Sequence, residues 1–318
     1  MKKKNLNIKV AIVGAGNMAR EHAKAFADVP GVRLAGIHSR TRSRAEELAA
    51  EFKIARVYDS IDELYERTQA NLVIITVFEL AMNPVSKACF EYPWTLLLEK
   101  PAGYDMKDAL AIYDAAASKD RKAYVALNRR FLSSTRAALE DLNHLQGPRF
   151  IKVQDQQDQI TALASGQPQS VVDKWMYANS IHVIDYFKLF GRGKISQVVP
   201  VIPWNPENPG TVVAKIEFDS GDIGLYEGVW CGPGPWAASV QTSERRWEMR
   251  PLERASFQNK GERKMQTVEI HPWDRDFKPG FRLQAQMAVD AALDEPTDLP
   301  PLQEALETMS LIEAIFRK

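Results

Sequence analysis

Two cysteines in 318 residues, Cys89 and Cys231, are too few and too far apart for a disulfide framework, and no Cys-x-x-Cys pair suggests a zinc site. A reducing compartment, the cytoplasm, is the expectation. Neither sign of charge is in excess: Lys plus Arg and Asp plus Glu both number 41, so no net field draws the chain to nucleic acid or an anionic membrane. No apolar run is long enough to span a bilayer. The basic start, Met1-Lys-Lys-Lys4, resembles the head of a secretion signal, but the apolar run at 10–13 gives way at once to glycine and reads as a strand. Internal repeats and low-complexity tracts are also missing. Partners are therefore expected to be small molecules or other protein surfaces.

What is present is ordinary globular composition, 45% hydrophobic and 26% charged, at a length that exceeds one typical domain. Short apolar runs at 9–13, 32–37, 72–76, 95–98 and 123–127 alternate with helical patterns at 17–28, 43–52, 61–68, 84–91 and 106–119. Continuous apolar strands between helices predict a parallel sheet covered on both faces, a doubly wound α/β domain over residues 1–127. Ser60-x-x-Glu63 supplies a capping box. After Leu127 the rhythm changes to polar and apolar alternation at 149–156, 211–218 and 222–230, with a hairpin turn at Asp219-Ser-Gly-Asp222. Helical periodicity returns at 131–143, 180–190, 281–293 and 302–316. Residues 128–318 are thus expected to form an α+β domain with a largely antiparallel open sheet. The Pro-rich stretch 201–210 reads as a loop, its tryptophan equally core or interface.

Gly14-Ala-Gly-Asn-Met-Ala19 is a G-x-G-x-x-A motif directly after the first strand and before the first helix. Glycines there allow a tight turn and close backbone approach, so a pyrophosphate can rest on the helix N-terminus. A plain glycine-rich turn would look the same, but the following βαβ rhythm favours a dinucleotide site at Gly14, Gly16, Asn17 and Met18. The second strand ends in His38-Ser-Arg-Thr41, without the carboxylate that takes the ribose hydroxyls of NAD. Ser39, Arg40 and Thr41 suit a 2′-phosphate, so NADP is preferred and NAD remains possible. A charge-assisted hydrogen bond of about 1.5–3 kcal/mol gives roughly a ten- to hundredfold preference. In the other reading Arg40 stacks on adenine or faces water, with Arg42 and Arg44 as solvated neighbours.

The stretch Thr95-Leu-Leu-Leu-Glu-Lys-Pro101 carries a lysine at the C-terminal end of an apolar strand, where such sheets meet their ligands. A lysine at its ordinary pKa, about 10.4, is too basic to take a proton at neutral pH, so a catalytic role requires about 4 kcal/mol of depression by burial and nearby charge. A surface Glu-Lys turn is the competing reading.

The Gly14 motif, "EKP" at 99–101, "NRRF" at 128–131 and "NSIHVIDYFKLFG" at 179–191 occur in an order that resembles the Gfo/Idh/MocA oxidoreductases. The resemblance covers nearly the whole chain. It implies a Rossmann domain, a second domain whose open sheet often joins subunits into a homo-oligomer, dimer or tetramer, and an NAD(P)-dependent reaction at a sugar or polyol carbon. By that likeness Lys100 and His182 are the catalytic proton-transfer groups, and Thr76 and Glu99 stand with Lys100 at the cofactor. Many members carry an Asp four residues before the histidine, where this chain has Ala178, and a Thr-Pro turn where it has Thr76-Val77.

Read directly, His182 and Asp185 share a helix face and could address one cleft; a satisfied core histidine is the plainer alternative. No third ligand of suitable spacing supports a metal. Asn128, Arg129 and Arg130 leave the last strand of the first domain and could bind hydroxyls, a phosphate or a carboxylate, or bridge the domains. Trp175 and Tyr177 could stack on a sugar or belong to the core, and Asn179 could hydrogen-bond a hydroxyl. The amide-rich run Gln154-Asp-Gln-Gln-Asp158 could face a polyhydroxylated ligand or an interface. An NAD(P)-dependent dehydrogenase of sugars or polyols is the leading expectation. An internal-redox glycosidase and a non-catalytic dinucleotide-binding regulator are the alternatives.

Overall fold

The alternation read from the sequence is present in the structure, a computed structural model that describes residues 7–317. The basic start, Met1 to Lys4, lies outside the described residues. In chain order the first elements are β1 (Ile8–Val13), α1 (Asn17–Ala27), β2 (Val32–His38), α2 (Arg42–Phe52), β3 (Val57–Tyr58), α3 (Ile61–Thr68), β4 (Leu72–Ile75), α4 (Met82–Cys89), β5 (Thr95–Leu98), α5 (Met106–Ala117) and β6 (Ala123–Val125). Then come α6 (Ser133–Leu142), β7 (Phe150–Gln157), α7 (Gln159–Ala164), α8 (Gln169–Val172) and α9 (Ile181–Phe190). Six strands follow: β8 (Ile195–Ile202), β9 (Thr211–Phe218), β10 (Ile223–Trp230), β11 (Ala237–Gln241), β12 (Arg245–Met249) and β13 (Ala255–Asn259). The chain ends with β14 (Gln266–Thr267), α10 (Pro272–Asp276), α11 (Phe281–Ala292) and α12 (Leu302–Ile315).

The first unit is a six-stranded parallel sheet in the order β3-β2-β1-β4-β5-β6. Every residue of β4 and β5 is buried, which explains why these strands read as unbroken apolar runs, each buried aliphatic side chain contributing about 1.5–3 kcal/mol. The order reverses between β1 and β4, so the C-terminal ends of those strands flank the switch point where doubly wound sheets bind ligands. Ser60 caps α3 as expected, the Glu63 amide donating to its Oγ at 3.0 Å, but the return bond of the box shifts by one residue, the Glu63 carboxylate accepting from the Asp59 amide.

One boundary differs from the expectation. The first unit comprises the chain through Leu127 together with Arg275–Leu306, so α11, assigned from the sequence to the second domain, returns to the first. It packs there on α1, with Phe281 4.7 Å from the His22 ring and Arg282 Nε donating to Asp28 at 2.5 Å. Periodicity identifies an amphipathic helix but not which apolar surface it will cover.

The second unit, Asn128–Asp274 with Glu307–Lys318, holds an eight-stranded sheet in the order β14-β13-β12-β11-β7-β10-β9-β8. All neighbours are antiparallel except β7 and β10, which pair in parallel. In β7, β9 and β10 buried residues alternate with half-exposed ones, as the pattern predicted. Strands β8 and β11 to β14 had no such signal, being short, polar or, in β8, an edge strand interrupted by Pro200. The predicted loop at 201–210 starts two residues late, because Val201 and Ile202 finish β8. Its tryptophan is core: Trp204 is buried, 4.6 Å from the Trp230 ring and 5.3 Å from Phe316.

Candidate functional site

Gly14 ends the first strand with φ +113, and a Cβ there would lie 2.6 Å from the Thr76 carbonyl oxygen. Only glycine fits that turn. Thr76 closes it from β4, its amide donating to the Val13 carbonyl at 2.8 Å. Gly16, the N-cap of α1, is the converse case, since a Cβ there would meet nothing within 4 Å. That open space lies over the unsatisfied amides of a helix N-terminus, where an anionic group is favoured.

A cavity of about 300 Å³ extends from this turn. Its lining includes Gly14, Gly16, Ser39, Arg40, Thr41 and Thr76, and also Arg44 and Phe78. The three arginines after β2 differ in their partners. Arg42 is held by Glu46 at 2.8 Å and by Asp59, and these carboxylates raise its pKa. Arg40 and Arg44 make no ion pair among the described residues and both line the cavity. Arg44, read from the sequence as a solvated neighbour, therefore joins the predicted set. Its place in the first turn of α2, directly after the predicted His38–Thr41 stretch, was the signal available for it. Asn17 and Met18 do not line the cavity; they begin α1 as exposed and half-buried residues.

Glu99 and Lys100 follow β5. The Glu99 side chain is buried and turned inward, with Oε1 2.8 Å from His22 Nε2 and Oε2 accepting from the Lys100 amide at 3.1 Å. Its predicted cofactor contact gives way to an anchoring role, because both oxygens are engaged inside the domain. His22, in the second turn of α1, is that anchor's other half. It sits on the apolar face of α1 with Ala19, Ala23 and Phe26. Lys100 stands half-buried on this fixed backbone, before a cis bond to Pro101.

In the second unit, residues Asn128–Phe131 form a 3-10 turn and Met176–Ser180 a π-helical turn leading into α9. Such turns recur at functional sites. Arg130 and Asp185, both predicted to face substrate, face each other instead. Nε and Nη2 of Arg130 meet the two carboxylate oxygens at 2.6 Å each, and Thr308 Oγ1 donates to Oδ1 at 2.9 Å. Both side chains are nearly inaccessible, 6% and 4% exposed. The charges neutralise one another, so the pair is a brace between the Asn128 turn and α9. Asn128 and Tyr177 are buried.

His182 is half-buried, with the Trp236 ring 6.0 Å away. Arg129 lies 5.8 Å over the same indole and 3.1 Å from Glu253. Trp236, in the loop Gly232-Pro-Gly-Pro-Trp236, was not singled out by sequence reasoning, which had no way to bring that loop to α9. Trp175 is half-buried, with an indole N–H that meets no acceptor among the described residues. Asn179 donates to Gln157 Oε1 at 2.8 Å. Gln157 in turn donates to Asp155, whose burial pushes its carboxyl above the ordinary carboxylate range despite hydrogen bonds from Tyr226 and Gln157. Ala178, where a carboxylate was expected by resemblance, is buried. No group of His, Cys, Asp and Glu suited to a metal occurs among the described residues, and no described helix is long and apolar enough to cross a membrane.

Comparison with known proteins agrees with this geometry. Residues 8–127 match the family model described as oxidoreductase family, NAD-binding Rossmann fold. A glucose-6-phosphate 3-dehydrogenase of Bacillus subtilis is 27% identical over 128 residues, covering 39% of this chain and 35% of that enzyme. The match thus spans about a third of that relative's length. A 4-carboxy-2-hydroxymuconate-6-semialdehyde dehydrogenase of Sphingobium sp. is 23% identical over 251 residues, 73% of this chain and 79% of that one. Among solved structures, a levoglucosan dehydrogenase in complex with NADH superposes with a TM-score of 0.81 at 17% identity, covering 97% of this chain and 96% of that one, a likeness of fold. The motif order, the sheet topology and the matched model lead to one assignment: residues 8–127 are the NAD-binding Rossmann domain of the Gfo/Idh/MocA oxidoreductase family.

Proposed function

We propose that the chain is an NADP(H)-preferring dehydrogenase or reductase acting on a CH–OH group of a sugar, sugar derivative or polyol. The observation that carries the cofactor preference is the pair of cavity-lining arginines, Arg40 and Arg44, that engage no carboxylate, while Arg42 is committed to Glu46 and Asp59. Two guanidinium groups beside Ser39 and Thr41 suit a 2′-phosphate, and no carboxylate lines the cavity to favour ribose hydroxyls. The turn at Gly14 and Gly16 and the N-terminus of α1 suit the pyrophosphate.

When bound, the nicotinamide supplies or accepts a hydride at the substrate carbon. Lys100, on the backbone anchored by Glu99 and His22, moves the hydroxyl proton in the first unit. His182 is the proposed proton-transfer or hydroxyl-holding group of the second unit. Asn128, Trp175 and Asn179 remain proposed substrate contacts; Arg130 and Asp185 support them as a brace. The sugar relative named above supports the substrate class, and the semialdehyde relative adds carboxylated aldehydes to those worth testing. The half-exposed face of the second sheet, where Phe150 and Ile223 stand side by side, is the proposed surface for a homo-oligomer.

The test follows reduced-nicotinamide absorbance in cofactor-stripped protein given NADP or NAD with free sugars, polyols, sugar acids, nucleotide-sugars and carboxylated aldehydes. Turnover with NADP and one substrate class is the expected result. Dinucleotide binding with silence across the panel in both directions would contradict the reading.

A further inference from the structure

The amide-rich end of β7 contains a buried acid. Asp155, 2% exposed, accepts the Tyr226 hydroxyl on Oδ2 at 2.7 Å and Gln157 Nε2 on Oδ1 at 2.5 Å. Gln157 is itself 1% exposed, and its Oε1 accepts from Asn179 Nδ2 at 2.8 Å. Asn179 is half-buried and precedes His182 by three residues on one continuous helical run.

The direction of these hydrogen bonds follows from what each group can do. An ionised carboxylate only accepts, so Gln157 must turn its NH₂ towards Asp155. A protonated Asp155 preserves the arrangement by donating to the Tyr226 oxygen while its other oxygen still accepts. Gln157 then presents its carbonyl to Asn179, and Asn179 must answer with its own NH₂. What Asn179 has left is Oδ1, which meets no donor among the described residues. Turning either amide would set like groups face to face in a buried place, leaving both unsatisfied. One buried acid thereby fixes the polarity of an amide two links away.

We propose that Asp155 and Gln157 are positioning residues that lock Asn179 with its carbonyl oxygen outward, as the acceptor for a hydroxyl hydrogen of the substrate. This rests on the reading of the His182 helix as a substrate-facing element. The site then selects a substrate that can donate at that point and discriminates against its methyl ether. It also gives the chain an ordered polar contact beside the position where Ala178 replaces a carboxylate.

Two readouts separate the lock from the enzyme assignment. In ¹⁵N-labelled protein the Asn179 side-chain amide is identified by its disappearance in Asn179→Ala, and its exchange with solvent is measured without substrate. Asp155→Asn, whose amide lets the hydrogen bonds run either way, and Gln157→Met, which removes the acceptor, should each speed exchange by about tenfold or more. Should Asp155→Asn fail to fold, Gln157→Met carries the test. Unchanged exchange in the folded variants overturns the lock, whatever the activity.

The second readout is steady-state kinetics with the sugar or polyol turned over in the panel, and with its O-methyl ethers. Asp155→Asn should raise KM about tenfold with kcat within about twofold and NADPH affinity unchanged. Asn179→Asp, which keeps an acceptor, should retain the discrimination that Asn179→Ala loses. An Asn179→Ala enzyme with wild-type KM and discrimination overturns the substrate role. A panel without turnover, alongside the expected amide exchange, refutes the dehydrogenase reading and the substrate role with it, and supports the lock alone.

Discussion

Three arginines follow β2, and the carboxylates around them decide which can meet a ligand. Arg42 spends its guanidinium on Glu46 and Asp59, whereas Arg40 and Arg44 line the cavity with no such partner. Each contact to a 2′-phosphate is a charge-assisted hydrogen bond of about 1.5–3 kcal/mol. Arg40→Ala and Arg44→Ala should therefore each weaken NADPH by roughly ten- to hundredfold and leave NADH nearly unchanged. Fluorescence titration of both nucleotides checks this; an unchanged affinity ratio in both variants would refute the 2′-phosphate reading. The sequence made Arg40 legible through the missing carboxylate after β2. Arg44 was legible only in part, because choosing among Arg40, Arg42 and Arg44 depends on where Glu46 and Asp59 point.

Asp155 makes a further prediction at this scale. Its folded pKa is raised, chiefly by burial. A group of that kind contributes fully below the ordinary carboxylate pKa, about 3.9, and its contribution is lost as pH rises through the raised folded value. The Tm of the wild type, measured relative to Asp155→Asn, should fall as pH increases from about 4. A difference that grows with pH would contradict the sign. A buried acid inside a polar run could not be read from composition; the alternation along β7 places Asp155 and Gln157 on the inner face with Ile151 and Val153, but it could not show which groups would hold an acid there.

At the scale of elements, the clearest stabilising device is the Arg130–Asp185 pair with Thr308. It ties the turn at Asn128–Phe131 to α9 and α12 within the second unit. Breaking one side leaves a buried charge alone, so Asp185→Ala should destabilise by about 3–5 kcal/mol. Denaturant unfolding measures this, and a loss under about 1 kcal/mol would show the pair to be better solvated than its burial indicates. The His-x-x-Asp spacing placed His182 and Asp185 on one helix, α9. It did not reveal that His182 and Asp185 have different partners, since three residues of separation put them on the same side but at different depths. The longer helices and the central strands were recognised because their periodicity is strong, while α7, α8 and α10 are too short to show one. The short strands beyond β10 were not, because their conformation is set by pairing with neighbours rather than by their own pattern.

At the scale of the molecule, the unit boundary at Leu127 was visible as a change from continuous to alternating apolar patterning. The return of residues 275–306 to the first unit was not, since no local signal encodes which unit a helix rejoins. The second sheet carries exposed apolar residues, with Phe150 and Ile223 paired side by side and Val201 and Ile202 at the end of β8. Patches of this kind are commonly covered by another subunit. Light scattering coupled to size exclusion should give a dimer or tetramer, and Phe150→Lys with Ile223→Lys should lower the mass; a wild-type monomer at micromolar concentration would contradict the proposed interface.

The central claim is that Lys100 moves the proton that accompanies hydride transfer. Its most direct test is to measure turnover and NADPH affinity side by side for the wild type and Lys100→Ala, using the substrate found in the panel. Turnover should fall by about 10² to 10⁴ with the cofactor affinity largely kept. A Lys100→Ala enzyme that turns over at the wild-type rate would contradict the account.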